Sequence, residues 1–316
     1  MSVSLAKLFH SEEVPLDTIR DKIIAIDILP WLYKYLFIRG KESYDFSDVR
    51  HEVLSSDGVL TSHLVGFLYF LRNLKKSRLS PIICIDGEAP KIKKKEILRR
   101  VSQRKRRAEK FELLENNGLL LNESQLISKR NAEIHVGEAQ KELIVRCCVH
   151  LGIPYYRGPS VQGEKACAML KLNGLADVCL TTDRDAMLYG TSFYSGIDFK
   201  KKSVRRYDFE KNLSSLGLKD QIELIYCVIC SGSDYSSGLK GVGPKTVLNL
   251  IKDREGMDLR IHREISNFKE IYDTLLAPLP MSFLKKSDPD PISFVSFLRS
   301  LHFNEKSVLK FTASLF

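Results

Sequence analysis

The sequence predicts an α/β protein, with a parallel-sheet core followed by a helical portion continuous with it. Three observations predict this class. Short apolar runs rich in β-branched or aromatic residues recur at 22–27 (KIIAID), 81–86 (PIICID), 152–156 (GIPYY) and 177–183 (DVCLTTD), each flanked by polar or turn residues as buried strands are. Between them lie longer stretches with helical spacing, at 60–77, 124–150 and 162–173, the alternation that builds a parallel sheet with helices on both faces. From residue 208 onward only helical patterns follow, in FEKNLSSLGL, DQIELIYCVI, PKTVLNLI and ISFVSFLRSLHF. The expected organisation is an α/β core over 1–207 and a helical portion over 208–316. The segment NNGLLLNES (116–124) reads as a loop between two long helices, and KKKSVRR (200–206) as the edge of a strand or hairpin.

Composition narrows the class further. At 316 residues, 44% hydrophobic and 28% charged, the chain can bury a sizeable core and is not disordered. No apolar run approaches the roughly 20 residues of a membrane-spanning helix, and MSVSLAKLFHSEE lacks the features of a secretion signal. Seven cysteines, an odd number set mostly in apolar segments, read as buried thiols of an intracellular protein, nuclear in a eukaryote and cytoplasmic in a prokaryote. Cys227 and Cys230 have CxxC spacing but no second pair to complete a zinc site.

The net charge of +10 points to a polyanionic partner. Most of it is local. Residues 91–110 (KIKKKEILRRVSQRKRRAEK) hold eleven basic side chains against only Glu96 and Glu109, a surplus of nine. Such a run is often just a solvated helix face, and a nuclear-localisation role is open too. Phosphate contacts by these residues would make binding strongly salt dependent.

Three strand-like runs end on aspartates: Asp27, Asp86 and Asp183, with Asp185 two residues on. One such acid is usually a strand meeting its loop. Parallel strands, however, deliver their C-terminal ends to one sheet edge, where ligands bind in open α/β folds. Several carboxylates there repel one another unless cations sit among them, and Mg²⁺ takes oxygen ligands and bridges to phosphate. Glu164 joins by position, in the first turn of the small-residue helix GEKACAML, and Asp234 lies in SGSDYSSGLKGVGPK before a glycine-rich turn.

That turn has its own chemistry. Gly241 and Gly243 allow close backbone approach to a phosphate, Pro244 suits a first helical position, and Lys240 and Lys245 add charge. A lone GxG is usually only a turn. GxGPK after a helix resembles a helix-hairpin-helix reader of the DNA backbone.

Taken together these motifs resemble the flap endonuclease/XPG family of structure-specific 5′ nucleases, in the family's own order. SLAKLF is similar to the family's N-terminus, with Ser2 where glycine is usual. IAIDILPWLY and ICIDGEAPKIKKKEILRR are similar to the first two metal-ligand strands, and TSHLVGFLYFLRN to a helix typical of flap endonucleases. LTTDRDAMLYG resembles the acidic pair, and SGSDYSSGLKGVGPKTVLNLI the last ligand with the helix-two-turn-helix over about 226–251.

The resemblance implies a PIN-like nuclease core, a helical arch over residues 91–135 and two Mg²⁺ or Mn²⁺ ions held by Asp27, Asp86, Glu164, Asp183, Asp185 and Asp234. It implies that Lys93 and Arg100 contact the scissile phosphate and that Tyr33 stacks on a nucleobase. It also implies that carbonyls of Gly238, Leu239 and Val242 hold a K⁺ ion beside the duplex. Branched or flapped DNA is the implied partner of a monomer acting in replication and repair. The tail KSVLKFTASLF is similar to a sliding-clamp-binding segment but lacks its glutamine, and a terminal helix packing on the body is the preferred reading.

One position departs from the family. Where it places two glutamates one residue apart, this chain reads Gln162 before Glu164, after a one-residue insertion at Val161. Glutamine offers a carbonyl oxygen without charge, so an ion there should be held more weakly. Natural divergence and a deliberate inactivating exchange both account for it. The resemblance leaves open a 5′ exonuclease, a Holliday-junction resolvase, and a DNA-binding protein with weakened catalysis.

Overall fold

The computed structural model describes residues 4–37, 61–88, 90–116, 125 and 136–316. It contains two compact units, each assembled from separate stretches of chain: Met1–Ile28, Asn73–Lys93 and Ile153–Lys286 in one, Leu29–Arg72, Lys94–Gly152 and Ser287–Phe316 in the other. This division cuts across the one at residue 207, because the helices from Phe209 to Leu276 belong to the same unit as the sheet.

The first unit is built on eight strands: β1 (Glu12–Pro15), β2 (Ile23–Asp27), β3 (Ser80–Cys84), β4 (Tyr155–Tyr156), β5 (Val178–Leu180), β6 (Phe193–Asp198), β7 (Ser203–Tyr207) and β8 (Leu284–Lys285). Their order is β1-β7-β6-β5-β2-β3-β4-β8. The four expected strands form the parallel run β5-β2-β3-β4; β6, which lies outside the expected runs, joins it in parallel, and antiparallel β7, β1 and β8 extend it into a mixed sheet. Ile24, Ala25, Ile26, Ile83, Cys84 and Cys179 are fully buried, as continuous apolar strands covered on both faces should be. Pro81 is tolerated inside β3. Ile83 and Ile85 donate toward β4, so Pro81's missing N–H would face the same side, before β4 begins. The basic knot 200–206 does lie at a hairpin, with β6 and β7 pairing through Phe193↔Tyr207 and Asp198↔Ser203.

Register aligns the strand ends. Asp27 pairs with Cys84, and Ile26 with Leu180, so β2, β3 and β5 finish level at one edge. Asp86 and Asp183 lie just past their strands rather than on them. The 162–173 expectation becomes the helix Gly163–Leu172, and the helical patterns after 208 become Phe209–Leu216, Gln221–Ser231 and Pro244–Leu250, followed by Arg254–Glu264 and Phe268–Leu276.

The second unit is helical: Leu29–Phe37, Ser62–Lys76 (whose last residues belong to the sheet unit), Lys94–Asn116, Glu138–Leu151, Pro291–Ser300 and Glu305–Leu315. Trp31 stacks on Phe70 with centroids 4.5 Å apart. The terminal helix buries Val308 and Phe311, the latter edge-on to Tyr69 at 5.1 Å, which is the preferred packing on the body. Residues 117–124 and 126–135 of the expected arch, most of the 116–124 loop and Ser2 lie outside the described residues. No helix among the described residues is long and apolar enough to cross a membrane.

Candidate active site

The aligned strand ends bring Asp27, Asp86 and Asp183 to one edge of the sheet unit. Asp27 closes β2, and its Oδ2 accepts a 2.7 Å hydrogen bond from the Thr181 hydroxyl just past β5. Asp86 receives the backbone N–H of Gly163 at 2.8 Å. Gly163 opens the helix Gly163–Leu172, so the positive end of that helix faces the two aspartates. Only glycine fits there. A Cβ would stand 2.5 Å from Asp27 Oδ1 and 2.9 Å from Asp86 Oδ1. Asp183 caps the short turn Arg184–Tyr189 by accepting the Asp185 N–H at 2.9 Å, and its own N–H donates to Thr181 Oγ1 at 3.0 Å.

Burial makes these charges expensive. Asp27, Glu164 and Asp185 are 3%, 5% and 2% exposed. Glu164 Oε1 is buried with no hydrogen-bond partner. Burial pushes the Glu164 carboxyl well above the usual carboxylate range; Lys93 opposes this, while the charges of Asp183, Asp86 and Asp27 add to it. For Lys93, burial pulls the ammonium down, but Glu164, Tyr189, Asp185 and Asp234 outweigh it and hold the group above its ordinary value.

The donor set suits a hard cation in kind: carboxylate oxygens, like-charged, with the buried Glu164 Oε1 unsatisfied. Among the described residues no group of three or more acidic, histidine or cysteine side chains converges tightly enough to hold an ion as it stands.

Gln162 is the residue preceding that helix, and its side chain does not cap it. Its Oε1 instead accepts from the Tyr235 hydroxyl at 3.3 Å. Tyr235 follows Asp234 directly, and its ring lies under the Lys93 ammonium at 4.2 Å. Sequence reasoning missed Tyr235, Tyr189 and Thr181. The threonine sits two places before Asp183 in LTTD, a local signal, whereas nothing local marks the tyrosines.

The glycine turn belongs to the same unit. Gly238 has φ 78°, and a Cβ there would meet Gly232 N at 2.7 Å and Cys230 O at 2.8 Å, so the turn folds only with glycine. Leu239 N–H donates to Cys230 O, and Val242 N–H to Leu239 O. Lys240 and Lys245 are exposed, and Gly241 and Gly243 have open space where side chains would stand. Glu264 accepts the Lys240 N–H at 2.9 Å, and Arg260 donates to the Lys240 carbonyl at 3.1 Å. Together they line an open pocket of about 920 Å³.

Arg100 and Tyr33 lie in the second unit. Arg100 Nε pairs with Glu96 at 2.8 Å, and Tyr33 is half-buried on the helix Leu29–Phe37.

Comparison with known proteins returns the same family. Residues 3–108 match the XPG N-terminal domain and residues 152–234 the XPG I-region. Flap endonuclease 1 of Archaeoglobus fulgidus is 32% identical over 266 residues, 80% of this chain and 75% of that protein. Flap endonuclease 1 of Methanococcoides burtonii is 27% identical across 98% of this chain and 94% of its own length. The structure of flap endonuclease-1 from Methanococcus jannaschii superposes with a TM-score of 0.71 at 23% identity, covering 99% of this chain and 97% of that one.

Proposed function

The chain belongs to the flap endonuclease/XPG family of nucleases, and on that premise we propose that it hydrolyses DNA phosphodiester bonds near junctions of duplex and 5′ single strand. The observation that carries this reading is the carboxylate edge, where buried acids surround one lysine and Glu164 keeps an unsatisfied oxygen.

Asp27, Asp86, Glu164, Asp183, Asp185 and Asp234 would hold two divalent ions, Mg²⁺ or Mn²⁺. Bound there, such ions supply a lowered water pKa and stabilisation of the leaving oxygen. Thr181 and the Gly163 N–H orient Asp27 and Asp86. Lys93, kept charged by its acidic neighbours, stabilises negative charge on the phosphate, and the family resemblance adds Arg100, whose guanidinium suits phosphate oxygens. The glycine turn with Lys240 and Lys245 grips duplex backbone without reading bases, and the carbonyls of Gly238, Leu239 and Val242 would hold K⁺. Recognition therefore rests on DNA structure rather than sequence. The basic helix follows Asp86 in the chain and supplies phosphate contacts to the 5′ strand.

Side-by-side digestion of 5′-flap, gapped and four-way substrates in Mg²⁺ tests the branch: the flap should be cut fastest, and preferential cutting of four-way junctions would overturn that assignment. A second reading rests on Gln162. A neutral residue at this position, already engaged by Tyr235, suits a junction-binding protein with weak ion affinity. It predicts tight binding with no Mg²⁺-dependent product.

A further inference from the structure

We propose that Tyr235 is a positioning residue that seats the Lys93 ammonium on its ring, with Gln162 anchoring the tyrosine hydroxyl so that the ring holds its place. The role of Lys93 in cleavage rests on the nuclease reading above; where Lys93 is held does not.

Lysine carries its charge on a flexible four-carbon stem, so a catalytic lysine needs something to fix its end. Acidic neighbours alone do this poorly. Glu164, Asp185 and Asp234 all attract the ammonium, and attraction shared among several charges does not by itself select one position. The ring supplies one preferred place. The nitrogen lies 4.2 Å from the centroid, inside the roughly 6 Å range of cation–π attraction. Both partners are 6% exposed, so water competes little for the ammonium.

The ring is itself held at its far end. The Tyr235 hydroxyl donates to Gln162 Oε1 at 3.3 Å, and both Tyr235 and its neighbour Tyr189 are buried. Position 162 thus affects Lys93 through Tyr235. A neutral amide accepts the hydroxyl without competing for the ammonium. A carboxylate there would add a negative charge at the hydroxyl end of the ring and compete with the ring face for the ammonium. The neutral Gln162 and the seated Lys93 are therefore two parts of one arrangement.

The test uses the full chain labelled with ¹³C-lysine, with the Lys93 signal assigned by its loss in Lys93→Arg. A lysine lying on a ring face shows its ε-methylene resonance shifted upfield. The upfield shift is expected in the native chain, is reduced in Tyr235→Phe, which keeps the ring but loses the bond to Gln162, and is lost in Tyr235→Leu. In single-turnover cleavage of a 5′ flap with Mg²⁺, Tyr235→Leu should be slowed about 100-fold, as for a displaced catalytic group. Its affinity for the flap in Ca²⁺ should be unchanged, and Tyr235→Phe should cut at a rate between those of Tyr235→Leu and the native chain. A Lys93 resonance at the ordinary lysine position in the native chain overturns the seat, whether or not Tyr235→Leu folds. So does a Tyr235→Leu chain that cuts at the native rate. An upfield Lys93 signal in a chain that cuts no substrate would overturn the nuclease reading and leave the seat standing.

Discussion

At the carboxylate edge, Asp27, Glu164 and Asp185 lie almost entirely out of solvent with Lys93 among them; along the helix Lys94–Asn116, charges of the opposite sign such as Arg99 and Lys105 stand largely in water. The two regions meet electrostatic cost in different ways. Water is excluded from the acids, so their mutual repulsion can be relieved only by protonation or by a cation. On the helix, solvent screens each charge, and Glu96 neutralises part of it by pairing with Arg99 and Arg100 at 2.6 and 2.8 Å. Burial turns a few acids into a strong indication of chemistry. Exposure lets basic residues such as Arg99, Lys105 and Arg106 accumulate while saying only that the partner is a polyanion.

Removing a buried acid should therefore have the largest effect. Asp183→Ala should lower single-turnover cleavage of a 5′ flap by about 1,000-fold or more while leaving the Kd for the same DNA in Ca²⁺ unchanged. Cleavage at the native rate would remove the edge from the chemistry. Replacing Arg104, Lys105 and Arg106 together with glutamine should act on binding alone. The slope of log affinity against log salt should flatten by about 2 to 3, with the rate at saturating protein unaltered. An unchanged slope would make this helix face a merely solvated one.

Gln162→Glu sharpens the comparison from within the buried region. One added charge should lower the Mg²⁺ concentration at half-maximal rate by about tenfold. Identical Mg²⁺ curves would take position 162 out of ion binding. The smallest effect belongs to Glu96, whose carboxyl is held down to about 2 by the side chains of Arg99 and Arg100. Its folded value lies below its unfolded one, so its contribution is present above pH 4.5 and lost as pH falls toward 2. Glu96→Gln should remove that pH dependence and cost about 0.5 kcal/mol at neutral pH, read from thermal melts. Equal melting curves across this range would assign the pair no role in stability.

Much of this contrast could be read from the chain because each part is local. Continuous apolar runs announce β2, β3 and β5, and parallel strands send the following aspartates to a common edge. The glycine turn is written in GLKGVGPK. What stayed hidden depends on partners distant in sequence. The residues of β1 and β8 are strands only because β7 and β4 pair with them. EEVP carries no strand signature, and a two-residue strand has no period to detect. Tyr235 meets Gln162 across 73 positions of chain, and Glu264 holds Lys240 across 24. The departure at Gln162 was visible, but its engagement by a tyrosine was not, since a side chain's partner is set by packing rather than by spacing.

The most direct test is single-turnover digestion of a 5′-flap substrate with the cut position mapped, run with Mg²⁺ and with the ion chelated. The expected result is one Mg²⁺-dependent incision near the junction of duplex and 5′ single strand, lost on chelation and absent in Asp183→Ala. Tight binding to the flap with no Mg²⁺-dependent product, or an incision that survives both chelation and Asp183→Ala, would contradict the assignment of the carboxylate edge as the cutting centre.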